Sequence, residues 1–350
     1  MAETEIEGLD HDEEISDRDV VYDINTFGAD FTVDGLIKRF DRGDIFVPDF
    51  QRNYVWSWPQ ASKFIESILL GLPIPSIFLY REERSQKHLI VDGLQRLTTL
   101  HAFNRGRFTH NDRVFRLRDV KPRFNNKTID QLDPEDSRRF EDAVIHAMII
   151  QQMSPDNDNS SVYHIFDRLN SNGTPLQPQE IRNAIYHGNF QELLVKLNDN
   201  PDWRNIFGSV HKRATDQELI LRFLALYDNA EFYKKPMKNF LNNYMANKRD
   251  IGTIEQDRLT QLFEKTIQRV SATFGRTAFR PSRSLNVATY DSLMVSIARH
   301  PDASASQIEA AYVSLLGNND YVAAITKATS DDTVVKNRLK LANETMDAAS

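Results

Sequence analysis

Residues 89–100 read "LIVDGLQRLTTL": an apolar run ends in Asp92 and Gly93, then passes through Leu94, Gln95 and Arg96 into a helical pattern. A strand that hands over to a helix through an acid and a glycine is a physically sensible anion site. The first N–H groups of a helix point outward and carry the positive end of its dipole. Gly93 lets a phosphate approach the backbone, and Arg96 adds a planar cation suited to phosphate oxygens. Asp92 is a carboxylate that can hold Mg²⁺, and Gln95 can orient a water toward a γ-phosphate. The same residues also suit a plain polar turn, with Asp92 capping and Arg96 in a structural ion pair.

Upstream of this junction, "TVDGLIKRFDRGDI" (32–45) reads as a short amphipathic helix stopped at Gly43, and "FVPDFQRNYVWS" (46–57) as extended and aromatic. A helix follows in which Ala61, Phe64, Ile65, Ile68, Leu69 and Leu72 form one apolar stripe, with Pro59 near its start and Gly71 to Pro75 ending it. "SIFLY" (76–80) and "HLIVD" (88–92) read as strands joined by a charged hairpin, and 94–106 as a helix closed by Gly106. "RVFRL" (113–117) and 143–153 supply further strands. Beyond about residue 155 the pattern turns helical: 160–170, one long helix over 177–199, then 216–228, 237–247, 257–275, 306–317 and 332–346. The expected fold is α+β, with a small mixed-sheet domain over 25–153 and an all-helical domain over 154–350.

Charge is unevenly placed. Residues 1–19 hold nine acids and one arginine, a net of −8 out of the chain's −7, which leaves the remainder at +1. Residues 1–24 are therefore expected to be a disordered acidic tail. Two basic stretches stand out: 104–127, with eight Lys/Arg against two Asp, and 269–284, with four arginines and no acid. Either can face a polyanion, and either can be an ordinary solvated face. The absence of cysteine excludes disulfides, thiolate metal sites and a cysteine nucleophile. No apolar run reaches the length of a membrane span and no leader is evident, so a cytoplasmic location is expected. No glycine is followed by lysine, which excludes a Walker A loop, and no Gly-x-Gly-x-x-Gly, paired-histidine zinc motif or Gly-x-Ser-x-Gly elbow occurs. A metal-nuclease reading through Asp49, Asp92 and the Asp119–Lys121 element rests on short patterns far apart.

Two more clusters carry candidate chemistry. In "VPDFQRNYVW" (47–56), Asp49, Gln51 and Arg52 sit among Phe50, Tyr54 and Trp56, as in a pocket where rings stack on a base, or as in an edge strand. In "FDRLNSNGTPL" (166–176), Asn170, Asn172 and Gly173 break one helix before the next, as any such turn would.

Together the three stretches resemble the N-terminal (S-half) domain of GmrSD-type modification-dependent restriction proteins, a domain also carried by the related phosphorothioate-sensing protein SspE. The family hallmark is D-G-Q-Q-R on a core similar to ParB and sulfiredoxin. That resemblance implies nucleoside triphosphate binding and hydrolysis that regulates cleavage of foreign modified DNA in phage defence. By position, Asp92, Gly93, Gln95 and Arg96 match the hallmark as catalytic and phosphate-binding residues. Arg52, Gln51, Leu94 and Asn170 match nucleotide-binding positions, with Asp92 toward Mg²⁺. Leu94 stands where the family usually has its first glutamine, keeping the backbone N–H without a side-chain hydrogen bond. A nuclease half of the HNH type needs a histidine base beside metal ligands, yet residues past 200 contain only His211 and His300. The chain is thus expected not to cut DNA alone. Its expected partners are a nucleoside triphosphate, DNA, a separate nuclease or effector, and a second copy of the chain. The alternative is a nucleotide-gated DNA sensor that does not hydrolyse.

Overall fold

The computed structural model describes residues 5–9, 23–47, 54–82, 85–108, 111–154, 165 and 177–349. Two compact units divide the chain: Val21–Pro175, and Met1–Val20 together with Leu176–Ser350. The boundary expected after residue 153 and this division both border residues that lie outside the described ones. Among the residues expected in a disordered tail, Ile6–Glu7 form a short strand, β1, parallel to Leu285–Asn286 of the helical unit. Two backbone partners on an already folded edge suffice to order this segment despite its charge.

In the unit Val21–Pro175 the strands are β2 (Asp23–Thr32), β3 (Ile45–Phe46), β4 (Ile77–Arg81), β5 (His88–Asp92) and β6 (Val144–Ser154). They form one mixed sheet in the order β2-β6-β4-β5-β3. β2 and β6 are antiparallel, β4 runs parallel to β6 and antiparallel to β5, and β3 is parallel to β5. The sequence reading missed β2, whose residues "DINTFGADFT" include glycine, two aspartates and an asparagine, all poor strand formers. Pairing with β6 over its whole length overrides that propensity. "RVFRL" is not a strand: only an isolated bridge, Arg107 with Val114, occurs there.

Among the described residues four α-helices flank the sheet: α1 (Val33–Asp41), α2 (Trp58–Leu69), α3 (Leu94–Asn104) and α4 (Pro134–Asp142). The Thr32 hydroxyl caps α1 by accepting from Gly35 N at 3.1 Å. The α2 stripe read from the sequence is buried at Ala61, Phe64, Ile65, Ile68 and Leu69, whereas Leu72 is exposed beyond the helix end. These side chains join Ile77, Leu79, Ile90, Leu97, Phe103, Ile145 and Ile149 in one core, which packs β4, β5 and α3 together where the junction lies.

The second unit holds β1, β7 (Leu285–Asn286) and ten helices among the described residues: α5 (Pro178–Ile185), α6 (Asn189–Asn198), α7 (Pro201–Phe207), α8 (Thr215–Asn229), α9 (Met237–Lys248), α10 (Thr253–Phe274), α11 (Val287–Arg299), α12 (Ala305–Gly317), α13 (Asn319–Thr326) and α14 (Asp332–Ala349). The single helix expected over 177–199 is two. At Gly188 the backbone is extended, and a Cβ there would stand 2.7 Å from the Arg249 carbonyl oxygen, so the chain breaks where only glycine fits. The helix expected over 160–170 falls outside the described residues. No helix is long and apolar enough to cross a membrane among the described residues. A buried carboxylate anchors the helical core: Asp291 accepts from Arg222 Nε at 3.1 Å and Nη2 at 2.6 Å, with Arg338 Nη2 at 3.5 Å.

Candidate functional site: the β5–α3 junction

β5 ends at Asp92, Gly93 is the N-cap residue of α3 with φ +98°, and the first intrahelical bond runs from Leu97 N to the Gly93 carbonyl at 2.9 Å. The first-turn N–H groups of α3 have no acceptor within the helix, as at any helix start. Glycine has a packing reason here as well. A Cβ on Gly93 would lie 2.5 Å from Ile77 Cγ2, 2.9 Å from Ile77 Cβ and 3.2 Å from Arg96 Nη2. The volume on that side is filled by the Ile77 side chain of β4.

Arg96, in the first turn of α3, folds back toward the helix start, the direction helical side chains favour. Its Nη2 donates to Asp92 Oδ2 at 2.8 Å and to the Ser76 carbonyl at 3.0 Å. The Arg96 side chain retains 17% exposure and Asp92 41%, so the pair is reachable from solvent, while Arg96 Nε is buried without a partner among the described residues. Gln95 Oε1 accepts from the backbone N–H groups of Val55 at 3.0 Å and Trp56 at 3.3 Å. The Thr99 hydroxyl donates to the Gln95 carbonyl at 2.6 Å, so the Tyr54 hydroxyl, 2.8 Å away, donates to Thr99. Burial raises the Tyr54 pKa and keeps that donor protonated. Gln95 and Arg96 thus tie the junction to two segments distant in sequence, 54–56 and the start of β4.

Several residues singled out in the sequence take positions that can be stated. Tyr54 and Trp56 pack against the core, with Trp56 edge-on to Phe64 at 5.5 Å and Tyr54 tilted on Phe108 at 5.8 Å. Leu94 also packs against that core, which gives an apolar side chain a use at this position. Asp49, Phe50, Gln51, Arg52, Asn170, Asn172 and Gly173 lie outside the described residues. For Mg²⁺ the junction offers one carboxylate, Asp92, with one oxygen on a guanidinium. No group of three potential ligands occurs among the described residues. That donor set fits only an ion whose other ligands are phosphate oxygens and water, the usual way Mg²⁺ is held beside a nucleotide.

The basic stretches are largely committed internally. Arg105 pairs with Asp41, Arg107 with Asp112, Arg123 with Asp136 at 2.6 Å and Lys127 with Asp133, and Arg118 lies 3.7 Å over the Trp58 ring. In 269–284, Arg269 donates to the carbonyls of Ile297, His300 and Ala303, and Arg280 to those of Arg276, Ala278 and Ile206. These two guanidiniums act as backbone caps. Arg113, Arg276 and Arg283 remain exposed. The sequence reading did not reach Ser76, Ile77 or Thr99. Ser76 contributes only a backbone carbonyl, and Ile77 and Thr99 act through contacts that no local motif encodes.

Residues 33–187 match the family model for the GmrSD restriction endonuclease N-terminal domain, a span that includes the whole β5–α3 junction. A comparison with curated proteins found no match.

Proposed function

From the premise that residues 33–187 form a GmrSD-type N-terminal domain, we propose that the chain is the nucleotide-responsive component of a restriction system, binding a nucleoside triphosphate at the β5–α3 junction. The supporting observation is the partly exposed Asp92–Arg96 pair at the start of α3. A terminal phosphate at that helix start competes with Asp92 for the Arg96 guanidinium, because a phosphate oxyanion matches the guanidinium fork at least as well as a carboxylate. When Arg96 turns to phosphate, the Asp92 carboxylate is freed; it would be the residue to hold a Mg²⁺, which would supply charge neutralisation beside the phosphates. The same exchange loosens the Arg96 tie to the Ser76 carbonyl, so occupancy is felt at β4.

Hydrolysis asks more of Gln95. To orient water, its side-chain oxygen must leave the Val55 and Trp56 amides, which makes release of the 54–56 segment part of turnover. A chain in which that clip persists binds nucleotide without cleaving it. The clip geometry therefore favours, as a second reading, a nucleotide-gated DNA sensor without hydrolysis. In either reading, DNA cleavage falls to a separate nuclease or effector.

Phosphate release from each of the four nucleoside triphosphates, with and without DNA, separates the two readings when paired with direct binding. Arg96→Ala is expected to weaken triphosphate binding at least tenfold, the loss of about 1.5–3 kcal/mol for a charge-assisted hydrogen bond. Unchanged affinity in Arg96→Ala refutes the site. Tight binding with no phosphate release leaves the sensor reading.

A further inference from the structure

The helical unit contains a concave site that the β5–α3 reading does not use. An open cavity of about 330 Å³ is lined by Gln177, His211, Arg213 and Thr215, with Ile6 and Leu9 as an apolar wall. This volume lies within the range of small-molecule pockets, roughly 300–1,000 Å³. Two helix starts converge on it: Gln177 is the N-cap residue of α5, and Thr215 opens α8.

The polar groups around the cavity are left unsatisfied to an unusual degree. Thr215 is only 4% exposed, and its hydroxyl makes no hydrogen bond among the described residues. Gln177 Oε1 and His211 Nδ1 are both buried without a partner among the described residues. Leaving a buried donor or acceptor unmade costs about 1–3 kcal/mol each, so the two at Gln177 and His211, beside the unbonded Thr215 hydroxyl, favour an occupant. The neighbouring carboxylates are already engaged. Glu180 Oε2 accepts from Arg213 Nη2 at 3.2 Å and from Gln177 N at 2.6 Å, and Asp216 Oδ2 accepts from Arg204 Nη1 at 2.9 Å and from His211 N at 3.0 Å. Neither carries an unmet charge that would repel an anion.

We propose that this cavity binds a small phosphate ester carrying hydroxyl or amino donors, of the size of a nucleoside monophosphate. The oxyanion lies toward the two helix starts and Arg213, where backbone dipoles and a guanidinium favour negative charge. The Thr215 hydroxyl donates to the same oxyanion. The Gln177 and His211 side chains, whose Oε1 and Nδ1 are buried in the ligand-free chain, turn these atoms to accept from the ligand's hydroxyl or amino groups, and the Ile6–Leu9 wall covers its apolar face. The site is separate from the β5–α3 junction and stands or falls independently of it.

Calorimetric titration of the full chain carrying Arg96→Ala with adenosine monophosphate, and in parallel with inorganic phosphate, tests the cavity without interference from the junction. Saturable binding of adenosine monophosphate is expected, tighter than that of inorganic phosphate. Adding Thr215→Val or Gln177→Met should weaken it about three- to tenfold, the loss of one hydrogen bond. Thermal melting checks the fold, and Thr215→Val should leave the ligand-free melting temperature unchanged because its hydroxyl has no partner to lose. Absence of binding, or binding indifferent to both substitutions, overturns the proposal and leaves the cavity to water alone.

Discussion

Replacing Gly93 by alanine tests whether packing, as well as ligand approach, demands a glycine at the junction. The added Cβ meets Ile77 Cγ2 at 2.5 Å and Ile77 Cβ at 2.9 Å, contacts that real Cβ atoms do not sustain. Ile77 is 1% exposed and begins β4, where it pairs with Ala147 of β6, so it has no open space to move into. At φ +98° an alanine also bears the left-handed penalty of roughly 1–2 kcal/mol. Overpacking in a filled site adds about 1–3 kcal/mol, so Gly93→Ala should destabilise this unit by about 2–5 kcal/mol. Urea unfolding followed through Trp56 and Trp58 reads the change. With a slope of about 1–3 kcal/mol per molar, the midpoint should fall by on the order of 1–2 M. The double variant with Ile77→Ala separates the two causes, because trimming Ile77 removes the closest contact and leaves the backbone term. Its loss should be smaller than the sum of the single losses by about 1–3 kcal/mol. A Gly93→Ala loss below about 0.5 kcal/mol, or strict additivity with Ile77→Ala, would refute the steric reasoning.

Gln95→Leu removes the acceptor for the Val55 and Trp56 amides, and those two N–H groups should exchange hydrogen roughly fivefold faster, about 1 kcal/mol of lost protection, by site-resolved exchange. Asp291→Ala strands the Arg222 and Arg338 guanidiniums in the helical core and should cost about 3–5 kcal/mol, seen as an early unfolding step reported by Trp203. Arg258, with help from Lys248, holds the Glu255 carboxyl down to about 2 from an ordinary 4.5. A depressed folded value means this contribution is present above about 4.5 and is lost as pH falls from there toward 2. The stability gap between the protein and Glu255→Gln should therefore be constant near neutral pH and close between those two values.

Much of the junction is legible in the chain itself. An apolar run, an acid, a glycine and an amphipathic continuation specify strand, turn and helix through local sterics and hydrogen bonding, and those signals survive intact at Asp92, Gly93 and α3. The α2 stripe is legible for the same reason, since periodicity over three turns encodes a buried face. β2 was not legible, because its residues favour turns and only the facing strand β6 makes it extended. The tail reading failed at Ile6–Glu7 for a similar reason: composition reports what a segment prefers alone, and β7 supplies what it lacks.

The sequence alone determined which side chains stand at the head of α3 and that they are chemically suited to a phosphate. The tertiary structure decided what those side chains hold. Arg96 reaches a carbonyl twenty positions earlier, Gln95 binds amides some forty positions earlier, and Gly93 is pressed against Ile77. Such contacts join segments distant along the chain and in part use backbone atoms shared by every residue type. They exist only once the sheet has brought β4 and β5 side by side.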